Sequence, residues 1–406
     1  MRSFHQQLVE HVSQTVELSA LKDHCFVFPT KRGGLFFKRA LIEKFDKQDF
    51  MLPVLYSIEE FVESLTGMSI TDELTLLFEL YKIYQLEEKD LQFDDFYAWG
   101  KIILKDYDEL DRYMADARKI YRSLQDIKEI DHLFGQSEEF REIVERYRTL
   151  TERQAKTELL TKFKRIWENV GKVYEVYQEQ LVKQEKAYGG MLYRNLANIL
   201  TQESLDHRFV QYHFCGFNAL STSEELIFDA LHKGGKAQLY WDVDAYYLND
   251  PKEEAGGFMR EYLSKWSDSV VFDAQSLATE KQVVLHAVPQ SIGQVHLAAE
   301  QVSQLLLEGV RPEKTAIVLA DEKLLVPLLY ALPMEEHKVN VTMGYPLKAT
   351  VVFDFLLSFL DIMLKSREEQ GERLIHLYDL KPFLSNAYAA IFQEGLYDEL
   401  TQWAVE

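Results

Sequence analysis

The residues whose types and spacing best suit chemistry stand between Cys25 and Ala40, CFVFPTKRGGLFFKRA. A short apolar run leads into Thr30, Lys31, Arg32, Gly33 and Gly34, and an amphipathic stretch follows. The pattern predicts a buried strand, a glycine loop and a helix whose amino end opens on the loop. Loop amides and the positive end of a helix hold phosphate in such a place. Lys31 and Arg32 would add charge for a nucleotide or for the backbone of DNA. A tight turn that needs Gly33 and Gly34 only for conformational freedom explains the same letters. A nucleotide-hydrolysing loop of the form GxxxxGK[ST] places a lysine and a hydroxyl straight after its last glycine, whereas Leu35, Phe36 and Phe37 follow Gly34. Hydrolysis of ATP with magnesium is therefore not expected, and no cofactor is.

Asp242 and Asp244, in WDVDAYY, end a predicted strand, where open α/β sheets place ligand residues. Two carboxylates two apart could hold a divalent cation, and Trp241, Tyr246 and Tyr247 could stack bases. Solvated carboxylates over packed aromatics fit that spacing equally well. No lysine follows at nuclease spacing. Ser221-Thr-Ser-Glu-Glu reads as a helix cap, with Glu224 and Glu225 as first-turn carboxylates. His213 reads as a satisfied sheet histidine, and no serine or cysteine has a recognisable catalytic partner. Cys25 and Cys215 sit in apolar runs with no metal spacing, as buried hydrophobes of a reducing cytoplasm do.

Several elements must position these groups. Phe4 to Leu18 has helical period and leads to the Cys25–Phe28 strand; Met51–Ser57 is a short strand closing on a capping box. Between Pro53 and Gly189 the chain has no proline and four glycines. Apolar residues there recur at helical spacing, including Phe93, Phe96, Tyr97, Trp99 and Tyr107 as core. Strand patterns return at Phe209–Gly216 and Ala237–Trp241 around a capped helix, a unit that implies a parallel sheet. Val283–Val288, Thr315–Leu319 and Val339–Thr342 read as further strands, and Thr350–Lys365 and Leu374–Phe383 as helices. The expected organisation is an α/β lobe from 1–57 and 200–275, a helical insertion at 58–199, a second α/β lobe starting at 283–349, and a helical segment at 350–406 that starts a second insertion. That last segment does not read as a finished domain.

The formal charge of −21, from 45 basic and 66 acidic residues, argues against a generally DNA-coating surface and leaves room for a local basic groove. The first twenty residues do not read as a signal peptide, and no apolar run approaches the ~20 residues a membrane-spanning helix needs.

Five phrases narrow the field: FVFPTKRGGLFFKRAL from Phe26, PVLYSIEEFVESLTG from Pro53, DDFYAWGKIILKDYDELDRYMADA from Asp94, FCGFNALSTSEELIFDAL from Phe214 and VNVTMGYPLKAT from Val339. In order, they resemble the amino-terminal part of AddB/RexB-type helicase–exonuclease subunits, which end in a PD-(D/E)XK nuclease domain. The resemblance implies a P-loop NTPase fold of RecA-like, UvrD-like superfamily-1 lobes with parallel sheets and a large all-helical insertion. It sets Phe26–Gly34 where a Walker A motif stands and Cys215, Gly216 and Asn218 where Walker B carries its acid, so both are degenerate here. Tyr345 and Lys348 fall where related motors approach single-stranded DNA. The resemblance implies a scaffold from double-strand-break processing that guides DNA or docks a helicase partner subunit, with any nuclease core beyond Glu406. A metal-dependent nucleotide-binding or transferase-like enzyme and a structural interaction module are the alternatives.

Overall fold

The computed structural model describes residues 2–46, 48–117, 119–120, 169–202, 208–273, 277, 279–333, 339–369 and 372–389. The chain divides into two compact units, 1–281 and 282–406. The helical insertion expected at 58–199 includes helical patterns at Ala115–Phe134, Phe140–Leu150 and Leu159–Gln184; all of the second, most of the first and the beginning of the third lie outside the described residues.

In the first unit, α1 (Phe4–Thr15) starts on a capping box between Ser3 and Gln6 and leads to β1 (His24–Phe28). The chain then forms α2 (Lys31–Lys44), β2 (Val54–Ser57), α3 (Ile58–Thr66), α4 (Glu73–Glu87) and α5 (Phe93–Arg112). Next come α6 (169–183) and α7 (Gly189–Gln202). After them run β3 (Gln211–Cys215), α8 (Thr222–Lys233), β4 (Ala237–Val243), α9 (Ala245–Asn249), α10 (Gly257–Lys265) and β5 (Val270–Asp273).

The five strands make one parallel sheet in the order β2-β1-β3-β4-β5. Phe26 pairs with His213 and Val27 with Phe214, so the two segments read as Walker-like strands are neighbours. The order reverses between β1 and β3, which puts the usual ligand crevice outside their carboxyl ends. Flavodoxin-like sheets share this order, so topology alone does not assign a phosphate loop.

Side-chain alternation builds two cores. Phe26, Phe28, Cys215 and Tyr240 face α1 and α2, where they meet Leu8, Val12, Phe37 and Leu41. Cys25, Val27, Tyr212, Phe214 and Trp241 face the other way, into a core shared with α3, α8 and the helical insertion. Phe96, Trp99 and Tyr107 are buried there as expected.

The second unit departs from the expected second lobe. Val283–Val288, Thr315–Leu319 and Val339–Thr342 have no regular secondary structure and join no strand ladder among the described residues. Leu285 and Val318 are 92% and 90% exposed, so these apolar runs have the pattern of buried strands without pairing among the described residues. The described elements here are α11 (Gln290–Leu307), α12 (Leu325–Ala331), α13 (Val351–Lys365), an antiparallel pair β6 (Arg367–Glu369) and β7 (Glu372–Leu374), and α14 (Leu377–Leu384). Among the described residues of the two units, no helix is long and apolar enough to cross a membrane.

Candidate functional site

The carboxyl end of β1 holds the Thr30–Gly34 group, and its form differs from the glycine loop expected. The connection is only Pro29 and Thr30; α2 begins at Lys31, so Gly33 and Gly34 stand in its first turn. The Thr30 hydroxyl caps the helix by accepting from the Gly33 amide. Close packing accounts for Gly33: a Cβ there would lie 3.1 Å from the Cβ of Phe28. Neither glycine has a left-handed backbone. The reading failed because adjacent glycines commonly mark a loop, whereas here the first of them lets a helix settle on a strand.

Lys31 does not point its charge at an open anion site. Its Nζ lies 2.8 Å from Glu60 Oε1, and Glu60 also completes the capping box of α3 through Ser57. That hydrogen bond and charge raise the Lys31 pKa. The pair ties the amino ends of α2 and α3 together.

The outer face of α2 is more telling than its first turn. Lys31, Arg32, Lys38, Arg39 and Lys44 set five cations against one carboxylate, Glu43, in a chain whose formal charge is −21. Arg39 pairs with Glu43, and Arg32, Lys38 and Lys44 have no ion pair among the described residues. Leu35 is 65% exposed and Phe36 52%, on the same solvent face as Arg32 and Arg39 by helical spacing. His5 of α1 stacks beside them, its ring 5.9 Å from Phe36 and 6.0 Å from Phe28. Burial lowers the His5 pKa, so the ring is an uncharged neighbour at neutral pH. Cations around an exposed aromatic ring can bind phosphates and stack an unpaired base.

The Cys215–Asn218 segment follows on the neighbouring strand. Cys215 is fully buried at the end of β3, and Gly216 takes a left-handed φ of 71° against the Phe4 ring. Asn218 is exposed. Both cysteines are unpaired by any disulfide; burial pushes the Cys25 thiol up to about 12 and the Cys215 thiol well above its usual range. Neither is a nucleophile at neutral pH.

Asp244 caps α9 through the Tyr246 amide at 3.0 Å and accepts from the Leu277 amide at 2.9 Å. Asp242 lies on β4, with its pKa raised by burial. Among the described residues no three His, Cys, Asp or Glu side chains gather as a metal site. Tyr345 is 51% exposed, its hydroxyl donating to the Ala349 carbonyl, and Lys348 lies in the short turn of Leu347–Ala349. They belong to the second unit. Glu224 completes a capping box with Ser221, as its spacing predicts.

Sequence reading missed two buried polar centres in the helical insertion. The Asp111 carboxylate is fully buried; it accepts from Tyr174, Tyr188 and Gln178 and pairs with Arg194. Arg194 Nε is 2.6 Å from Oδ1 but poorly aligned for a hydrogen bond, while its Nη2 donates to the Leu110 and Ala115 carbonyls. Burial raises the Asp111 pKa against those donors. Glu79 receives Lys82, Lys186, Gln180 and Gln184. The Asp111 centre joins α5 to α6 and α7, and the Glu79 centre joins α4 to α6 and the turn after it, each a structural clamp in form.

No family model matches the chain, and no curated protein does.

Proposed function

We propose that this chain is a catalytically degenerate, helicase-like α/β scaffold of a cytoplasmic DNA-repair machine, and that it guides a DNA strand across the outer face of α2. The observation that carries the reading is the local inversion of charge: α2, whose amino end stands at the carboxyl end of β1, gathers five cations and an exposed Phe36 in an acidic protein. Electrostatic attraction to phosphates is local, screened over about 10 Å at 0.1 M salt, so a basic helix can act within an acidic whole. The neighbouring β1 and β3 and the helical insertion are also what the AddB/RexB-like reading expects. A nuclease or ATPase role for these residues has no support in their geometry.

The test is a titration of a labelled single-stranded oligonucleotide, read by anisotropy, against the wild type and the Arg32→Glu/Lys38→Glu pair. A loss of tenfold or more in affinity is expected. Wild-type protein that binds no oligonucleotide at 50 mM salt would end the proposal.

A second reading, docking of a protein partner by the second unit, is favoured by α13. Its sequence VVFDFLLSFLDIMLK is apolar on nearly every face, yet only Ile362 is buried. Helices of this composition are normally enclosed. Charge substitution at Leu360 should then abolish capture of the partner helicase subunit without weakening oligonucleotide binding.

A further inference from the structure

The first turn of α1 lies where an open α/β sheet receives its ligand. Phe4 packs its ring against the backbone of Gly216, the residue that follows β3; a Cβ on Gly216 would come within 3.0 Å of that ring. The same ring meets Phe272 of β5 edge to face, with centroids 5.8 Å apart. His5 covers the end of β1, stacked on Phe28 and held at the backbone of Gly33. Phe4 and His5 together thus cover the carboxyl ends of β1 and β3, between which the strand order reverses.

The turn is anchored. Ser3 and Gln6 cap it reciprocally, and Leu8, Val9 and Val12, one and two turns later, are buried in the core shared with Phe37 and Leu41. A mobile lid would expose its apolar side on opening, whereas α1 has no such freedom without giving up that core.

We propose that the first turn of α1 is a permanent internal plug of the switch-point crevice, so that nucleotide is excluded by occupied space as well as by missing catalytic side chains. The inference rests on the helicase-like reading for its meaning, but its geometry is independent of whether α2 binds DNA. It fills the crevice with half-buried rings and leaves the first turns of α2 as the exposed part of this end of the sheet.

The experiment uses the full chain with Phe4→Ala. Removing the half-buried ring vacates an apolar site against Gly216 and Phe272, and benzene can take the place of the lost ring there. The variant should melt several degrees below the wild type, and millimolar benzene should recover part of that loss. Wild-type protein should show no response to benzene and no binding of ATP with magnesium up to millimolar concentration. A benzene shift in the wild type, ATP binding by the wild type, or a folded Phe4→Ala variant with an unchanged midpoint and no benzene response would each overturn the plug. If Phe4→Ala does not fold, Phe4→Val carries the same comparison with part of the volume kept. Oligonucleotide affinity of the variant should equal that of the wild type. Its loss along with that of the wild type reports on the DNA proposal and not on the plug.

Discussion

The imidazoles of His24 and His213, on adjacent strands, meet with Nδ1 of the first 2.8 Å from Nε2 of the second. His213 Nδ1 in turn lies 3.0 Å from the Tyr240 hydroxyl, and Phe26 stacks on its ring at 4.3 Å. A chain of neutral donors and acceptors satisfies every ring nitrogen of His213 within the sheet. Burial, then the neighbouring His24 and His11, push the His213 pKa down to about 3.

An acid-sensitivity prediction comes from that pair. The folded protein keeps His213 neutral to about pH 3, whereas the unfolded chain takes up a proton near pH 6.5. Between those values the unfolded state binds more protons, so stability falls as pH drops below 6.5. His213→Phe should be less stable at pH 7.5 by about 1–3 kcal/mol, because His24 and Tyr240 lose a buried partner. Its urea midpoint should also fall less between pH 6.5 and 5 than that of the wild type. Parallel midpoint curves would show that His213 is not held neutral.

Much of the first unit is legible in its sequence because the signals are local. Short apolar runs around FVF, YHFC and LYW mark β1, β3 and β4 as strands buried on both faces, and the Ser57 and Ser221 capping boxes mark α3 and α8. The four residues of β5, VVFD, are too few to signal a strand: its burial alternates at a half-exposed edge, but its letters do not. Gly33 and Gly34 look like a loop because composition does not tell a flexible turn from a close approach. Asp111 and Glu79 are invisible for a different reason: their partners lie 63 to 107 residues away, except for Lys82. The runs of the second unit show the limit of pattern itself. Thr315–Leu319 has the letters of a buried strand, but pairing depends on a neighbour that the letters do not contain.

Glu79 titrates in the opposite sense from Asp111. Burial alone would raise its pKa, but hydrogen bonds from Lys186, Lys82, Gln184 and Gln180 outweigh that and hold it at about 2. The stabilisation is complete above the unfolded value near 4.5 and is lost as pH falls toward 2. Glu79→Gln should cost roughly 2–3 kcal/mol at pH 7, and the gap from wild type should narrow steadily between pH 5 and 3. Chemical denaturation at four pH values measures it; a constant gap would mean that the lysines do not bind the carboxylate.

Salt dependence separates phosphate contacts from stacking on α2. Each cation that neutralises a phosphate of a single strand contributes about 0.7 to the slope of log affinity against log salt. Lys38→Ala should lower the slope by about that amount, while Phe36→Ala should weaken binding by about 1–3 kcal/mol with the slope unchanged. A Phe36→Ala variant that binds like wild type would leave only an electrostatic contact.

Gly33 and Gly34 distinguish a helix from a phosphate loop by stability alone. Within a helix, replacing glycine by alanine gains up to about 1 kcal/mol when the methyl has room. At Gly34 the nearest atom to a Cβ is Leu55 Cβ at 3.6 Å, an ordinary contact, so Gly34→Ala should stabilise the fold by several tenths of a kcal/mol. At Gly33 the methyl would meet three atoms of Phe28 between 3.1 and 3.3 Å. Phe28 is 1% exposed and packed on Phe37, so it has little room to yield, and α2 must lift from β1 instead. Gly33→Ala should therefore be destabilising by about 1 kcal/mol or more, as overpacking is. Thermal melts of the two variants should shift in opposite directions. Equal shifts would mean that the two glycines stand in equivalent surroundings, and the close seating of α2 on β1 would have to be abandoned.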